Sequence, residues 1–265
     1  MKFVVVSLLL LVAVLAVAGW LAFNVPAQNG NETGSPQLPH LVAVDSSGQG
    51  NHGVNQGSPE LGLPGHHGTA YSFDRPGSWI QVPSNRSLNA GRGDFLVSAW
   101  LNFTDAPEAG ETYDIIRKGR VGTADGSQFK AEIVFRGRVK CSAKDSDGAE
   151  AWVFDRETNV ADGKWHRIEC ARTGSTWSVT VDRRITSKTF DLGSIGNTMP
   201  LSIGSKYGLE DAPRGRIDEV ALIITKRSPD IATPGGPKGQ VRRLRAAPYA
   251  GWWHLDEPAS MGPAR

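Results

Sequence analysis

Cys141 and Cys170 are the two thiols of this 265-residue chain and its clearest candidates for covalent chemistry. Two thiols alone cannot complete tetrahedral zinc, so in an exported protein the pair points to a disulfide. Val139, Cys141 and Ala143 alternate with Arg138, Lys140 and Ser142, while Ile168 and Cys170 alternate with Arg167 and Glu169. Both sulfurs therefore face the apolar side of a strand. Closing the loop would stabilise the fold by roughly 3–4 kcal/mol through chain entropy. The other reading, two buried free thiols, holds if the strands stand too far apart for Cα atoms within about 7 Å.

Other motifs resolve on their context. Gly48-x-Gly50-x-x-Gly53 has dinucleotide-loop spacing, but Val54-Asn55-Gln56-Gly57-Ser58-Pro59 follows and cannot open a pyrophosphate-binding helix. It reads as a turn. Asp145-x-Asp147-Gly148 opens like a calcium loop yet lacks the bidentate glutamate at its twelfth position, and reads as a hairpin tip. His166 has neither a nucleophile motif nor a carboxylate orienter visible beside it, and reads as structural. Arg92-Gly93-Asp94, a tripeptide that adhesion receptors read, runs directly into a strand. Sequons at Asn31, Asn85 and Asn102 matter only in a glycosylating host. Trp79, Tyr113, Trp152 and Tyr207 are candidate exposed aromatics for stacking on sugar or peptide, with Arg117, Lys118 and Lys206 in loops beside them.

The elements that must position these residues are strands. From Leu41 to Ile224 the apolar period is two. Phe95, Val97, Ala99 and Leu101 take one face and Leu96, Ser98, Trp100 and Asn102 the other; Phe129, Ala131, Ile133 and Phe135 alternate with Lys130 and Glu132. Trp177, Val179 and Val181 repeat the pattern, and turns at Asp125-Gly126, Asp147-Gly148, Asp162-Gly163 and Gly174-Ser175 divide the runs. The 31 glycines and 16 prolines suit many short strands. An all-β, two-sheet antiparallel jelly-roll sandwich is predicted. A net charge of +2, from 29 basic and 27 acidic residues, excludes nucleic acid as the main partner.

The N-terminus predicts export. An apolar run from Phe3 to Phe23 follows Lys2, long enough to span a bilayer as a hydrophobic helix. Ala16-Val17-Ala18 is also signal-peptidase-like, and a later site after Ala27 fits as well, so a signal peptide and an uncleaved anchor both stand. Either way Lys2 stays inside and the bulk is secreted or cell-surface, touching membrane only through residues 1–27.

Four stretches in order, Asp45-Ser46-Ser47-Gly48-Gln49-Gly50-Asn51-His52-Gly53, Asp94–Trp100, Asp162-Gly163-Lys164-Trp165-His166-Arg167-Ile168 and Gly215-Arg216-Ile217-Asp218-Glu219-Val220, make the segment similar to the laminin-G-like branch of the concanavalin A-like lectin and glucanase family. The resemblance implies a jelly roll over residues 41–227. In related jelly rolls oxygen ligands near the first and last strands can hold a structural calcium, which here would use Asp45, Asn51 and Asp218, with backbone carbonyls and water completing six to eight ligands. The alternative is that these carboxylates only hold turns. The family also contains endoglucanases, but their Glu-x-Asp-x-x-Glu pattern is missing and Asp218-Glu219 points to opposite faces of a strand. The resemblance therefore implies a non-catalytic module binding a glycan or an extracellular protein, with a structural or adhesion spacer as the alternative.

Residues 28–40 and 228–246 read as linkers, the second holding the basic cluster Lys238, Arg242, Arg243 and Arg245. Residues 247–265 carry Gly251-Trp252-Trp253-His254-Leu255-Asp256-Glu257. This is either the opening strand of a second repeat or a strand that folds back onto the first domain.

Overall fold

The structure is a computed structural model that describes residues 42–122, 126–225 and 236–256. The expected signal peptide or anchor, the 28–40 linker, residues 123–125 with the Asp125 turn position, residues 226–235 and the chain beyond Asp256 lie outside the described residues. Among the described residues no helix is long and apolar enough to cross a membrane.

In chain order the strands are β1 (Val42–Ala43), β2 (Gly53–Gln56), β3 (Glu60–Pro64), β4 (Thr69–Ser72), β5 (Trp79–Val82), β6 (Asp94–Phe103), β7 (Thr112–Lys118) and β8 (Gln128–Val134). They continue as β9 (Arg138–Lys144), β10 (Glu150–Phe154), β11 (Trp165–Thr173), β12 (Thr176–Val181), β13 (Arg184–Thr189), β14 (Leu201–Ile203) and β15 (Gly215–Thr225). A helix, α1 (Pro237–Leu244), then precedes β16 (Tyr249–Trp253). One sheet runs β1-β2-β5-β14-β7-β8-β9-β10, and the other β13-β12-β11-β6-β15-β4-β3 with β16 also on β15. Every pairing is antiparallel, as expected where hairpins and short loops connect strands.

The alternation read from β6 is the alternation observed. Phe95, Val97, Ala99, Leu101 and Phe103 enter the core between the sheets. Phe135 is the exception in its run, 47% exposed in a tight turn after β8 rather than on the strand's inner face. Cys141 on β9 and Cys170 on β11 are both buried and joined in a disulfide, with Cα atoms 5.5 Å apart. Because β9 and β11 belong to different sheets, the bond staples the sandwich across its core.

The 228–246 segment is not all linker. Pro237 opens α1 at a position where its missing N–H costs nothing. Val241 and Leu244, one turn apart, bury against Leu96, Ala171 and Ile223 on the outside of the second sheet. Arg245 then reaches buried Glu169 on β11. The basic residues obscure a two-residue apolar face too short to register as a helical period.

The terminal strand folds back. The first half of β15 pairs with β4 through Arg216 and Ile217, and β16 takes the free remainder of that edge, Val220 to Ile223. Trp253 is fully buried and its indole N–H donates to the Asn51 carbonyl at 2.9 Å. Asn51 Nδ2 returns a bond to the Ala250 carbonyl at 2.7 Å. The turn at residues 45–51 and β16 therefore hold each other in place.

Candidate functional site

Asp45 and Asp218 occupy separate hydrogen-bond sets. Asp45 accepts from the backbone N–H groups of Ser47 (2.9 Å), Asn51 (2.8 Å) and Trp252 (2.9 Å) and from the Ser47 hydroxyl (2.8 Å). Burial works to raise its pKa, but these bonds together hold it below the ordinary carboxylate value. Asp218 Oδ2 instead accepts the N–H groups of His66 (2.7 Å) and His67 (2.9 Å). Asn51 spends its amide nitrogen on Ser87 Oγ and the Ala250 carbonyl. A calcium ion needs oxygens with free lone pairs converging on one point, whereas Asp45 is filled by donors. The three residues do not fit a calcium site, and among the described residues no group of three His, Cys, Asp or Glu could hold a metal. Asp145 likewise closes its own hairpin, accepting the Asp147 and Ala149 N–H groups, and ties it to a distant loop through the Gly193 N–H.

The aromatic candidates divide. Tyr113 and Lys118 are buried, contrary to the expectation of exposed contact residues. Tyr113 packs edge-on against Phe103, and Lys118 Nζ is held by the carbonyls of Asn197 and Met199 and by Ser84 Oγ. Both are on β7, an interior strand with neighbours on either side, so there is no loop to expose them. Arg117, on the same strand, is buried against Asp114. Trp79 packs edge-on against Tyr207 at 5.7 Å, and the Tyr207 hydroxyl accepts the Gly119 N–H; burial pushes that phenol up to about 12. Trp152 stays partly exposed on edge strand β10 under the Lys188 ammonium, 3.7 Å from its ring centroid. Trp79 and Tyr207 meet, but the five residues do not form one exposed site.

A different set converges on the outer face of the second sheet. Trp100 and Ser98 from β6, Arg167 from β11, Glu219 and Ala221 from β15, Tyr249 and Trp252 from β16, and His67 line a cleft of about 420 Å³. Register explains the assembly: Trp100 lies opposite Arg167 on one side and Asp218 on the other, and Ala221 lies opposite Trp252. His66 stacks on Trp100, centroids 3.5 Å apart and planes within 12°, while Tyr249 stacks on Trp252 at 4.9 Å and 27°. Two aromatic stacks thus wall one cleft.

Between them the strand is bulged. Asp218 pairs with Trp100 and Ala221 with Ser98, so β15 carries one extra residue there. Glu219 takes up the irregularity at φ 51°, a left-handed conformation costly for a residue with a side chain. Its carboxylate accepts the Trp252 indole N–H (2.8 Å) and meets His254 Nδ1 (2.8 Å). The bulge breaks the strict alternation that would have sent Glu219 to the face opposite Asp218, and that alternation was all the sequence offered. Trp100 was legible as outward-facing, but its partnership with Trp252 was not.

Asp218 lies directly beneath. It is fully buried, burial raises its pKa to about 6, and its Oδ1 has no hydrogen-bond partner. The same burial, with His67 alongside, lowers the pKa of His66.

Fold and cleft together define an antiparallel two-sheet β-sandwich with an aromatic-walled groove on one outer face. The family model described as the concanavalin A-like lectin/glucanases superfamily matches residues 74–230, and the chain belongs to that family. Strands β1 to β4, outside the matched segment, complete the same two sheets. Among solved structures, the chain is similar to the binding domain of Paraclostridial Mosquitocidal Protein 1 (17% identity, TM-score 0.52, covering 68% of this chain and 46% of that one). It is similar too to the botulinum neurotoxin serotype G binding domain (12% identity, TM-score 0.53, covering 70% and 46%) and the serotype D binding domain (13%, 0.51, 68% and 44%). The chain spans less than half the length of these structures, and at such identities the likeness is one of fold. No match was found among curated proteins.

Proposed function

We propose that this protein is a non-catalytic carbohydrate-binding module whose glycan lies across the Trp100–Trp252 cleft. The observation that carries the reading is the pair of aromatic stacks flanking an open groove that also offers Arg167, Glu219 and His67 as polar contacts. Sugar rings present apolar C–H faces to aromatic rings and hydroxyls to charged groups, so this mixture suits them. Glu219 is the one carboxylate among the described lining residues, and both its oxygens are engaged by Trp252 and His254. Glycosidic cleavage by the common route requires two carboxyl groups flanking the bond, so the arrangement favours binding over hydrolysis. The inter-sheet disulfide and the apolar N-terminal run support an exported protein acting in an oxidising setting.

A glycan-array screen of the purified protein, run in calcium and again in EDTA, tests this. The expected result is binding in both buffers that disappears in Trp252→Ala. An array silent for the natural protein would move the reading to an adhesion or spacer domain. Release of reducing ends from bound glycans would establish a hydrolase instead.

A further inference from the structure

A second feature on the opposite sheet is used by nothing described above. After β8 the chain turns through Phe135–Gly137, with Arg136 at φ 65° and Gly137 also at φ 65°. Gly137 has no alternative, since a Cβ there would stand 2.0 Å from Asn159 Oδ1. The turn delivers Arg136 beside Arg138 at the start of β9 and Arg156 just past β10. All three line one cleft of about 350 Å³ together with Val134 and Phe154.

Among the described residues these guanidiniums have no counter-charge. Among the described residues no carboxylate lies within ion-pair distance of any of them. The neighbouring acids are committed: Glu132 to Lys130 and Lys140, Glu157 to Arg184, and Asp155 to the Glu157 and Thr158 N–H groups of its own turn. Arg138 Nη1 is buried with no hydrogen-bond partner. Aromatic faces supply only partial compensation, Arg136 at 5.2 Å from the Phe135 centroid and Arg156 at 5.8 Å from that of Phe154. Three cations gathered around one cavity with an orphaned N–H suit an anion with several acceptor oxygens.

We infer that this arginine cleft binds the phosphate or sulfate group of a larger ligand, with Arg136, Arg138 and Arg156 as its donors. Guanidinium forks match tetrahedral oxyanions two bonds at a time, which an ammonium cannot do. The cleft's apolar wall, Val134 and Phe154, would contact the body that carries the group. The site lies on the β8–β9–β10 end of the first sheet and the aromatic cleft on the second, so the two act on different ligands or on two parts of one.

The test is calorimetric titration of the full chain with inorganic phosphate, inorganic sulfate, polyphosphate and dextran sulfate, at low and at physiological salt. Saturable binding is expected to weaken with salt and to fall at least tenfold in Arg138→Gln and in Arg156→Gln. Arg156 is exposed, so its replacement leaves the fold intact even if Arg138→Gln does not. Trp252→Ala should bind these probes unchanged, which separates this result from the glycan reading. Preference for polyphosphate or for dextran sulfate identifies the source of the oxyanion. No saturable binding, or binding indifferent to Arg156→Gln, overturns the inference.

Discussion

The Trp252 indole N–H donates to Glu219 Oε2 at 2.8 Å across 33 residues of sequence. Trp252 is on the strand that closes the β15 edge, and Glu219 is on the bulge that strand covers. The docking of β16 thus supplies one of the two aromatic walls and a hydrogen-bond partner for Glu219 on the floor of the cleft.

Adjacent tryptophans should therefore behave oppositely. Trp253→Ala removes a fully buried ring and its bond to Asn51, and should cost about 3–5 kcal/mol in urea unfolding. Trp252→Ala should reduce glycan affinity at least tenfold while the unfolding midpoint moves far less. Equal destabilisation by both would reduce Trp252 to a packing residue. Deleting residues 247–265 should lower the melting temperature, and an unchanged value would contradict the pairing of β16 with β15.

Reducing or replacing the disulfide should be felt globally. The closed loop has a sequence separation of 29 residues. On the chain-entropy model it contributes about 3–4 kcal/mol, so Cys141→Ala/Cys170→Ala should unfold at correspondingly lower denaturant. Retention of the natural midpoint under strong reductant would show that the core alone holds the sheets together.

His166 sits between two carboxylates, Nδ1 2.9 Å from Asp182 and Nε2 2.9 Å from Asp162. Burial works against the imidazolium, but hydrogen bonds to Asp182 and Asp162 raise its pKa overall; the bond from His166 brings Asp162 down to about 2. The histidine's contribution is complete below its unfolded value of about 6.5 and is lost as pH rises through the folded value. The Asp162 contribution is present above the ordinary carboxylate value of 3.8 and is lost as pH falls through about 2. Asp218, raised to about 6 by burial, contributes stability that is complete below its ordinary value of 3.8 and is lost as pH rises through about 6. Stability measured against pH should thus decline below pH 4 through Asp162, as pH rises between 4 and 6 through Asp218, and further above pH 6.5 through His166. His166→Gln should flatten the Asp162 and His166 slopes, and an NMR titration placing the His166 pKa at or below 6.5 would refute the assignment.

Calcium should do little here. With Asp45 filled by donors from Ser47, Asn51 and Trp252, melting temperatures in calcium and in EDTA should coincide. Asp45→Ala should instead destabilise in both buffers, because it strips the acceptor from three backbone N–H groups. A rise in melting temperature with calcium that Asp45→Ala abolishes would restore the metal.

The strands were legible because burial of one face imposes a period of two. Phe95, Val97, Ala99, Leu101 and Phe103 show it in the core between the sheets, while Leu96 on the other face is buried separately beneath α1. The glycine-rich stretch from Gly48 to Gly53 was legible as a turn, since Gly48 and Gly50 take φ of 81° and 70°, and a Cβ on Gly53 would stand 2.3 Å from Ile80 Cγ2. Tyr113 and Lys118 misled because a strand's rank within its sheet, interior or edge, has no local signature. Helix α1 was missed because the buried apolar residues it packs on, Leu96, Ala171 and Ile223, come from three distant strands.

By itself the sequence determined the all-β class, the turns, the facing of Cys141 and Cys170 toward the interior and the family resemblance, all of which follow from local alternation and turn chemistry. Only the tertiary structure decided that Asp45 accepts the Trp252 N–H, that a bulge turns Glu219 into a cleft, and that Arg136, Arg138 and Arg156 meet. Each of these depends on which segments become neighbours. That choice is made by long-range pairing of sheet edges, and no window of adjacent residues encodes it.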